Sequence, residues 1–320
     1  MIKTKKQKII WFIVALIAVL ATAPNNAMMK PVLHEIGPLW SSLFRFLLFA
    51  IALLPALYFG RQGINSKSFK FAIIAGVAYA SAILAIGGSI VLSQASYPSL
   101  IGISSPIILM LLSVMLANEH VPRKSFFGIV LAAIGGFLII FLPLLSSGGS
   151  NISVHPLATV FAVINAVASP MMYIMAKKSV DAGMKIWTSL SIVAWVGVLF
   201  TAILILVLNA PAPSLNNVFR LNIILPIIYS VIVVMLFARS VTTLAYKKLG
   251  SAPVAGLEYL RILLSVAIPV IALGERLSIE MALGGGLILA GVILIEARIA
   301  PKWARRRKYY GLDSNRSTIE

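Results

Sequence analysis

The sequence predicts an all-α membrane protein with ten transmembrane helices, arranged as two inverted five-helix repeats with both termini in the cytoplasm. Hydrophobic residues make up 60% of the 320 residues and charged residues only 11%, whereas a soluble protein carries about 25% charged residues. The apolar residues fall into runs of roughly 20, the length that crosses a bilayer as a helix. Basic residues are common in alternate loops and rare in the loops between them.

Ten apolar runs are candidate transmembrane helices. The first run follows several lysines and has the charge pattern of a signal peptide. It is longer than a typical signal core and no small-residue cleavage site follows, so we expect it to be retained as a helix. The predicted spans are 9–29, 38–59, 69–92, 98–117, 124–144, 155–176, 186–208, 221–246, 253–273 and 279–298.

The loop charges predict the orientation, because lysine and arginine prefer the cytoplasmic side. With the N-terminus inside, the outside segments hold only Lys30, Arg220 and Arg276. The net charge of +18 therefore lies in cytoplasmic loops and tails, which argues against a nucleic-acid partner. The predicted parts are a basic N-tail (1–8), a first repeat (9–145), a linker (146–153), a second repeat (154–298) and a basic cytoplasmic tail (299–320).

A weak internal repeat supports this division. Three residues recur at one offset of 156 positions: Glu119, Gly128 and Gly135 match Glu275, Gly284 and Gly291. Because each half holds five helices, the second half must enter the membrane inverted, which is typical of transporters. Glu275 falls in an outer Gly-Glu-Arg-Leu-Ser turn, which we interpret as a structural joint between the last two helices.

Two prolines occupy matching places in the halves. Pro24 and Pro170 are predicted helix breaks, because proline removes a backbone donor and disturbs the preceding turn. Paired breaks indicate a central binding site, and a pair of packing kinks is the alternative. Polar and aromatic side chains near the predicted centre are candidate substrate-binding residues: Asn25, Tyr79, Asn165, Tyr173 and Trp195, of which Trp195 also fits a core position.

Four charged residues inside predicted spans complete the candidate substrate site. Arg45 lies about one-third of the way into the second span, where a charge costs a few kcal/mol. We expect it to face a cavity rather than to reach the outer surface. Arg239, Glu258 and Arg261 lie at similar depth and predict a charge cluster. The cluster is either a static salt bridge or a gate that responds to a proton or to substrate, and the sequence leaves both open.

Two segments carry a family resemblance. LWSSLFRFLLFAIALLPAL, with Arg45, and VAIPVIALGERLSIEMALGGGLILAGVIL, with Glu275, resemble the drug/metabolite transporter superfamily, specifically its ten-helix EamA-type branch. In the first half Asn118-Glu119-His120 stands where the family pattern has Gly-Glu-Arg. The resemblance implies a transporter with a central cavity between inverted halves. Its members move amino acids, nucleotide sugars, other metabolites or drugs, so it does not identify the substrate.

The function predicted first is secondary active transport of a small polar or amphipathic metabolite across the plasma membrane by alternating access, as export or exchange. Three intramembrane arginines against one glutamate favour an anionic or zwitterionic solute, such as an amino acid. The sequence holds no phosphate-binding glycine loop of an ATP motor. We expect a small-molecule substrate and the lipid bilayer as partners, a proton or other ion as a candidate for coupling, and no cofactor or metal.

Other functions remain open at this point. A proton-coupled multidrug exporter of lipophilic cations would use Glu258 as its essential anion. A membrane scaffold or lipid flippase is a non-transport alternative. An intramembrane enzyme is disfavoured, because the three histidines fall in loops and no paired acidic motif lies at the bilayer centre. The oligomeric state is undetermined, with a monomer as one candidate.

Overall fold

The structure is a computed structural model that describes residues 5–117, 155–249 and 251–276, with short helical pieces between 130 and 138 and between 279 and 291. Every element in these ranges is helical. In the first part the helices are α1 Lys5–Thr22, α2 Asn25–Ala52, α3 Leu54–Gly60, a 3-10 turn Arg61–Gly63, α4 Ser66–Val91, α5 Tyr97–Gly102 and α6 Ser105–Ala117. In the second they are α7 Pro156–Asp181, α8 Ile186–Val207, α9 Leu215–Val218, α10 Leu221–Tyr229, a π-helix Ser230–Ala238, α11 Arg239–Leu249 and α12 Ser251–Leu273.

Long apolar helices dominate this fold. Within the described ranges, five stretches are long and apolar enough to cross a membrane: Ile9–Ala52, Ser66–Val91, Pro156–Asp181, Ile186–Val207 and Leu221–Ala245. Large apolar side chains along them are exposed, for example Leu206 and Ile232, as a lipid-facing surface requires. The predicted all-helical class is confirmed. The ten spans, the repeat boundaries and the orientation of the termini stay predictions. Most of the fifth span and the whole 146–153 linker lie outside the described residues.

The first two predicted spans meet at a glycine. Helical structure continues past the predicted end at residue 29 as far as Gly37, whose φ of 78° and ψ of 161° leave the helical region. A positive φ is costly for residues with a side chain but not for glycine. Pro38 follows and starts the next helical run, as proline does at a first helical turn. The second span therefore begins where the sequence predicts, and the first is longer than predicted.

The helices of the two parts of the chain pack against each other in the core. α4 packs along α7, and α2 packs against α8. At the second contact a Cβ on Gly197 would lie 2.4 Å from a ring atom of the buried Phe46, so only glycine allows this approach. The largest apolar cluster lies here, formed around Phe46, Phe49, Tyr79, Leu190 and Met235.

Candidate functional site

A polar cavity lies between the helices. Its volume is about 150 Å³. One water needs about 10–15 Å³, so the cavity holds on the order of ten waters or one small solute. Its walls come from α1, α2, α4, α5, α6, α7, the π-helix, α11 and α12. No acidic side chain among the described residues lines it. The polar lining residues are Thr22, Asn25, Asn26, Arg45, Tyr79, Ser99, Ser105, Asn165, Ser169, Tyr173, Arg239, Thr242 and Arg261.

Arg45 is the most deeply buried charge on the cavity wall. The residue is only 3% exposed, and its Nε–H has no hydrogen-bond partner in the part of the chain that the structure describes. The ion pairs found there are Lys30–Glu275 and Arg220–Glu35, neither of which involves Arg45. A buried charge is costly unless it is paired. The arrangement of Arg45 therefore favours an anion in the cavity.

Arg239 enters the cavity at the end of the π-helix. Its backbone N–H donates to the carbonyl of Val234, five residues back, so the widened turns extend to this residue. Its guanidinium carbon lies 4.7 Å from the ring centroid of Tyr79 and 4.6 Å from that of Tyr173. A cation over an aromatic ring gains about 0.5–2 kcal/mol, depending on desolvation. The rings of α4 and α7 thus hold the Arg239 head at the cavity wall.

The ring of Tyr79 is itself held in place. Phe46 contacts it edge-on, with the ring centroids 5.5 Å apart and the planes at 89°, a favourable aromatic geometry. The Tyr79 hydroxyl is buried and has no hydrogen-bond partner among the described residues. Packing in the apolar core therefore positions a ring that contacts a cavity arginine.

The chain breaks its helix at Pro24, and other helices satisfy the exposed carbonyls. α1 ends at Thr22 and α2 begins at Asn25. The Tyr229 hydroxyl donates to the carbonyl of Ala21, and the Ser265 hydroxyl donates to the carbonyl of Ala23 at 3.2 Å. Side chains of this kind make a break tolerable inside a membrane. Thr22, Asn25 and Asn26 next to the break line the cavity.

The predicted helix break at Pro170 is wrong. Pro170 lies on the cavity wall, but α7 continues through it from Pro156 to Asp181. α7 packs closely along α4. Beside it the Ser169 hydroxyl donates to Asn165 Oδ1 at 3.0 Å. The two prolines are therefore not structurally equivalent.

Most of the predicted substrate-binding residues line this one cavity. They are Asn25, Arg45, Tyr79, Asn165, Tyr173, Arg239 and Arg261. Trp195 does not, because it packs against the apolar cluster around Phe46 and Leu190. The side chain of Glu258 lies outside the described residues, so the predicted Arg239–Glu258–Arg261 cluster stays a prediction. That the lining residues bind substrate also stays a prediction.

Six polar lining residues were not among the predicted substrate residues: Thr22, Asn26, Ser99, Ser105, Ser169 and Thr242. Thr242 follows Arg239 by three positions, a spacing that places two side chains on one helix face. The sequence therefore could have identified Thr242 as a neighbour of Arg239 in the site. Asn26 was overlooked beside Asn25. It donates through Nδ2 to the Ser99 hydroxyl at 2.9 Å, a contact 73 residues apart in the chain.

Glu275 joins three elements at one end of the cavity. Its carboxylate accepts hydrogen bonds from Lys30 Nζ at 2.8 Å, Ala95 N at 2.7 Å, Ser96 N at 3.0 Å and Ser96 Oγ at 2.7 Å. Burial alone raises the pKa of this carboxyl, but the four hydrogen bonds outweigh burial and hold the pKa below its ordinary value. The predicted joint between the last two helices is thus a joint between α12, α2 and the segment that enters α5.

Fold and cavity define a helical integral membrane protein with a polar site between its helices. Residues 9–141, most of the first predicted repeat, match the model of the EamA-like transporter family. The match confirms the predicted EamA-type resemblance over this part of the chain. None of the curated proteins matches the chain significantly. A solved structure titled "Crystal structure of protein" is similar over 93% of this chain and 100% of its own, with a TM-score of 0.56 and 14% identity, and it supports the fold alone.

Proposed function

We propose that the protein is a secondary active transporter that moves a small anionic or zwitterionic solute across the plasma membrane by alternating access, as export or exchange. The observation that carries the proposal is Arg45, a buried cation on the wall of a polar cavity with no ion pair among the described residues. A transmembrane charge of this kind typically marks a substrate or ion pathway.

The charge of the lining residues favours an anion. Arg45, Arg239 and Arg261 approach the cavity from α2, α11 and α12. A single carboxylate from Glu258 would balance only one of these three charges. The guanidinium fork matches a carboxylate with two parallel hydrogen bonds. The side-chain carbonyl oxygens of Asn25 and Asn165 are on the same walls and are suitable acceptors for an ammonium or hydroxyl group of the solute.

The pattern of helix contacts supports an inverted repeat and hence alternating access. α4 packs against α7, and α1 packs against the π-helix and α11. α4 and α7 correspond to predicted spans three and six, whereas α1 corresponds to span one and the π-helix with α11 to span eight. With five spans in each half, span three matches span eight and span six matches span one. Exchanging the halves therefore converts the first contact into the second. The contacts of α5 and α6 with α7 likewise correspond to that of α1 with α12. Two similar halves around one site allow one side to open while the other closes.

Ligand stabilisation of the purified protein tests the solute class. We expect carboxylates and amino acids, screened against matched uncharged and cationic compounds, to raise the unfolding temperature, since binding at 100 times Kd stabilises by about 2.7 kcal/mol. The Arg45→Gln variant should lose this shift. The control is Arg220→Gln, because Arg220 lies outside the cavity in an exposed ion pair with Glu35. Stabilisation by lipophilic cations alone, undiminished in Arg45→Gln, would contradict the proposal.

Transport itself is tested in sealed vesicles. The solute that stabilises the protein should cross vesicle membranes that contain the wild-type chain faster than membranes with Arg45→Gln. Counterflow, in which unlabelled solute on one side accelerates uptake of labelled solute, is expected for a carrier that alternates its access. Binding without any flux would support the scaffold alternative instead.

A further inference from the structure

Two polar contacts join α2 to the short helix α5 at one end of the cavity. The first is the 2.9 Å hydrogen bond from Asn26 to Ser99, and both residues line the cavity. The second runs through Glu275, which binds Lys30 of α2 and Ser96 at the start of α5. Asn26 and Lys30 are four residues apart and Ser96 and Ser99 three apart, so the contacts lie one turn from each other.

The two contacts differ in where they lie. Asn26 and Ser99 are on the cavity wall, within reach of a bound solute. The Glu275 side chain is only 4% exposed, whereas that of Lys30 is 26% exposed. The Glu275 contact therefore lies between the cavity and the protein surface. Gly274, with a φ of 65°, turns the chain after α12 and brings the carboxylate to this position.

α5 is built as a short separate unit. It is six residues long, with an irregular segment after α4 on one side and a turn at Ile103 and Ser104 on the other. Backbone changes at the ends of such an element allow it to move without bending a long helix. Hydrogen bonds hold α5 to its neighbour α2, and a polar solute or water can replace these bonds.

We propose that α5 is a gate at this end of the cavity and that Glu275 is the positioning residue that holds it closed against α2. This inference rests on the proposed transport function. A solute that bonds to Asn26 or Ser99 replaces the inner contact. The Glu275 contacts then remain to keep α5 in place, and they open only when Lys30 and Glu275 are both hydrated. Because water solvates both charges, the contact can break and re-form in each cycle.

Thiol labelling tests the gate without any solute. The chain has no cysteine, so a single Ser105→Cys substitution places one thiol on the cavity wall, in α6 beyond α5. A small polar methanethiosulfonate reagent should label this thiol slowly in the otherwise wild-type protein. Glu275→Gln should raise the labelling rate roughly tenfold, since it removes charge-assisted hydrogen bonds. Ser96→Ala, which keeps the Lys30–Glu275 pair, should raise it by a smaller factor.

Two controls separate gating from general loosening. Glu35→Gln removes an ion pair of the same 2.8 Å length, also from α2, and should leave Ser105→Cys labelling unchanged. A thiol at the exposed Ser214 should be labelled at one rate in all backgrounds. An unchanged Ser105→Cys rate in both folded Glu275→Gln and folded Ser96→Ala would overturn the gate. Faster labelling in a protein that binds no anionic or zwitterionic solute would instead overturn the proposed substrate class and retain the moving α5.

Discussion

The guanidinium carbon of Arg239 lies 4.6 Å from the ring centroid of Tyr173, which joins α11 to α7 at the cavity. The π-helix ends just before Arg239, whose backbone N–H donates to the carbonyl of Val234. π-helical turns are rare and occur frequently at functional sites. Removing the Tyr173 ring therefore tests whether Arg239 contributes to solute binding or only to the structure.

We expect Tyr173→Leu to weaken solute binding by about two- to tenfold, the loss of a cation–π contact of about 0.5–1.4 kcal/mol. Tyr173→Phe keeps the ring and should bind within about twofold of wild type. The measurement is the Kd of the stabilising solute, taken from calorimetry on both variants. Equal losses in the two variants would show that the hydroxyl matters and the ring does not.

Filling the cavity tests whether it is the binding site. Gly102 lies on the cavity wall, and a Cβ there would meet no atom within 4 Å. Gly102→Leu should therefore abolish ligand stabilisation while the unfolding temperature without ligand stays close to wild type. Gly286 also has open space for a Cβ but does not line the cavity, so Gly286→Leu should keep the ligand shift. An intact shift in Gly102→Leu would place the site elsewhere.

Close packing of α2 and α8 predicts a stability effect away from the site. In Gly197→Ala the new methyl group would meet the Phe46 ring at 2.4 Å. Overpacking of a core costs about 1–3 kcal/mol, which corresponds to several degrees of unfolding temperature. Gly286→Ala is the matched control and should unfold at the wild-type temperature. Because Phe46 supports Tyr79, Gly197→Ala should also weaken solute binding.

The sequence predicts well what depends on residue type and local spacing. The long apolar runs predict α7 and α8 to within a few residues of the observed ends. Burial of Arg45 follows from the cost of a charge in lipid. Residue type does not predict the position of Trp195, because an amphipathic aromatic residue suits the core and the cavity equally. The orientation of α8 decides between the two, and it places Trp195 against the core.

Long-range partners account for what the sequence did not predict. Pro24 and Pro170 are the same residue type in matching runs, yet only the first lies between two helices. That break has hydroxyl partners 208 and 242 residues away, at Tyr229 and Ser265. The Glu275 carboxylate likewise finds partners 179 to 245 residues away. Neither set of contacts leaves a local pattern in the chain.

The depressed pKa of Glu275 predicts a pH-dependent contribution to stability. A carboxyl with a lower pKa in the folded than in the unfolded state stabilises the fold above its unfolded value, about 4.3. That contribution is lost as the pH falls through the folded pKa. Among the described residues, the charged group that faces it is Lys30. Thermal unfolding of wild type and Glu275→Gln, measured from neutral pH downward, should show a difference that shrinks below about pH 4.

Glu35 provides the comparison that makes this prediction specific. Its ion pair with Arg220 has the same 2.8 Å length, but the arginine side chain is 56% exposed. Exposed pairs contribute about 0–1 kcal/mol, so Glu35→Gln should change the unfolding temperature little at any pH. At neutral pH Glu275→Gln should therefore be clearly the less stable variant, because the Glu275 carboxylate also satisfies two backbone N–H groups. Identical pH profiles for the two variants would mean that the buried contacts of Glu275 contribute no more stability than an ordinary surface ion pair.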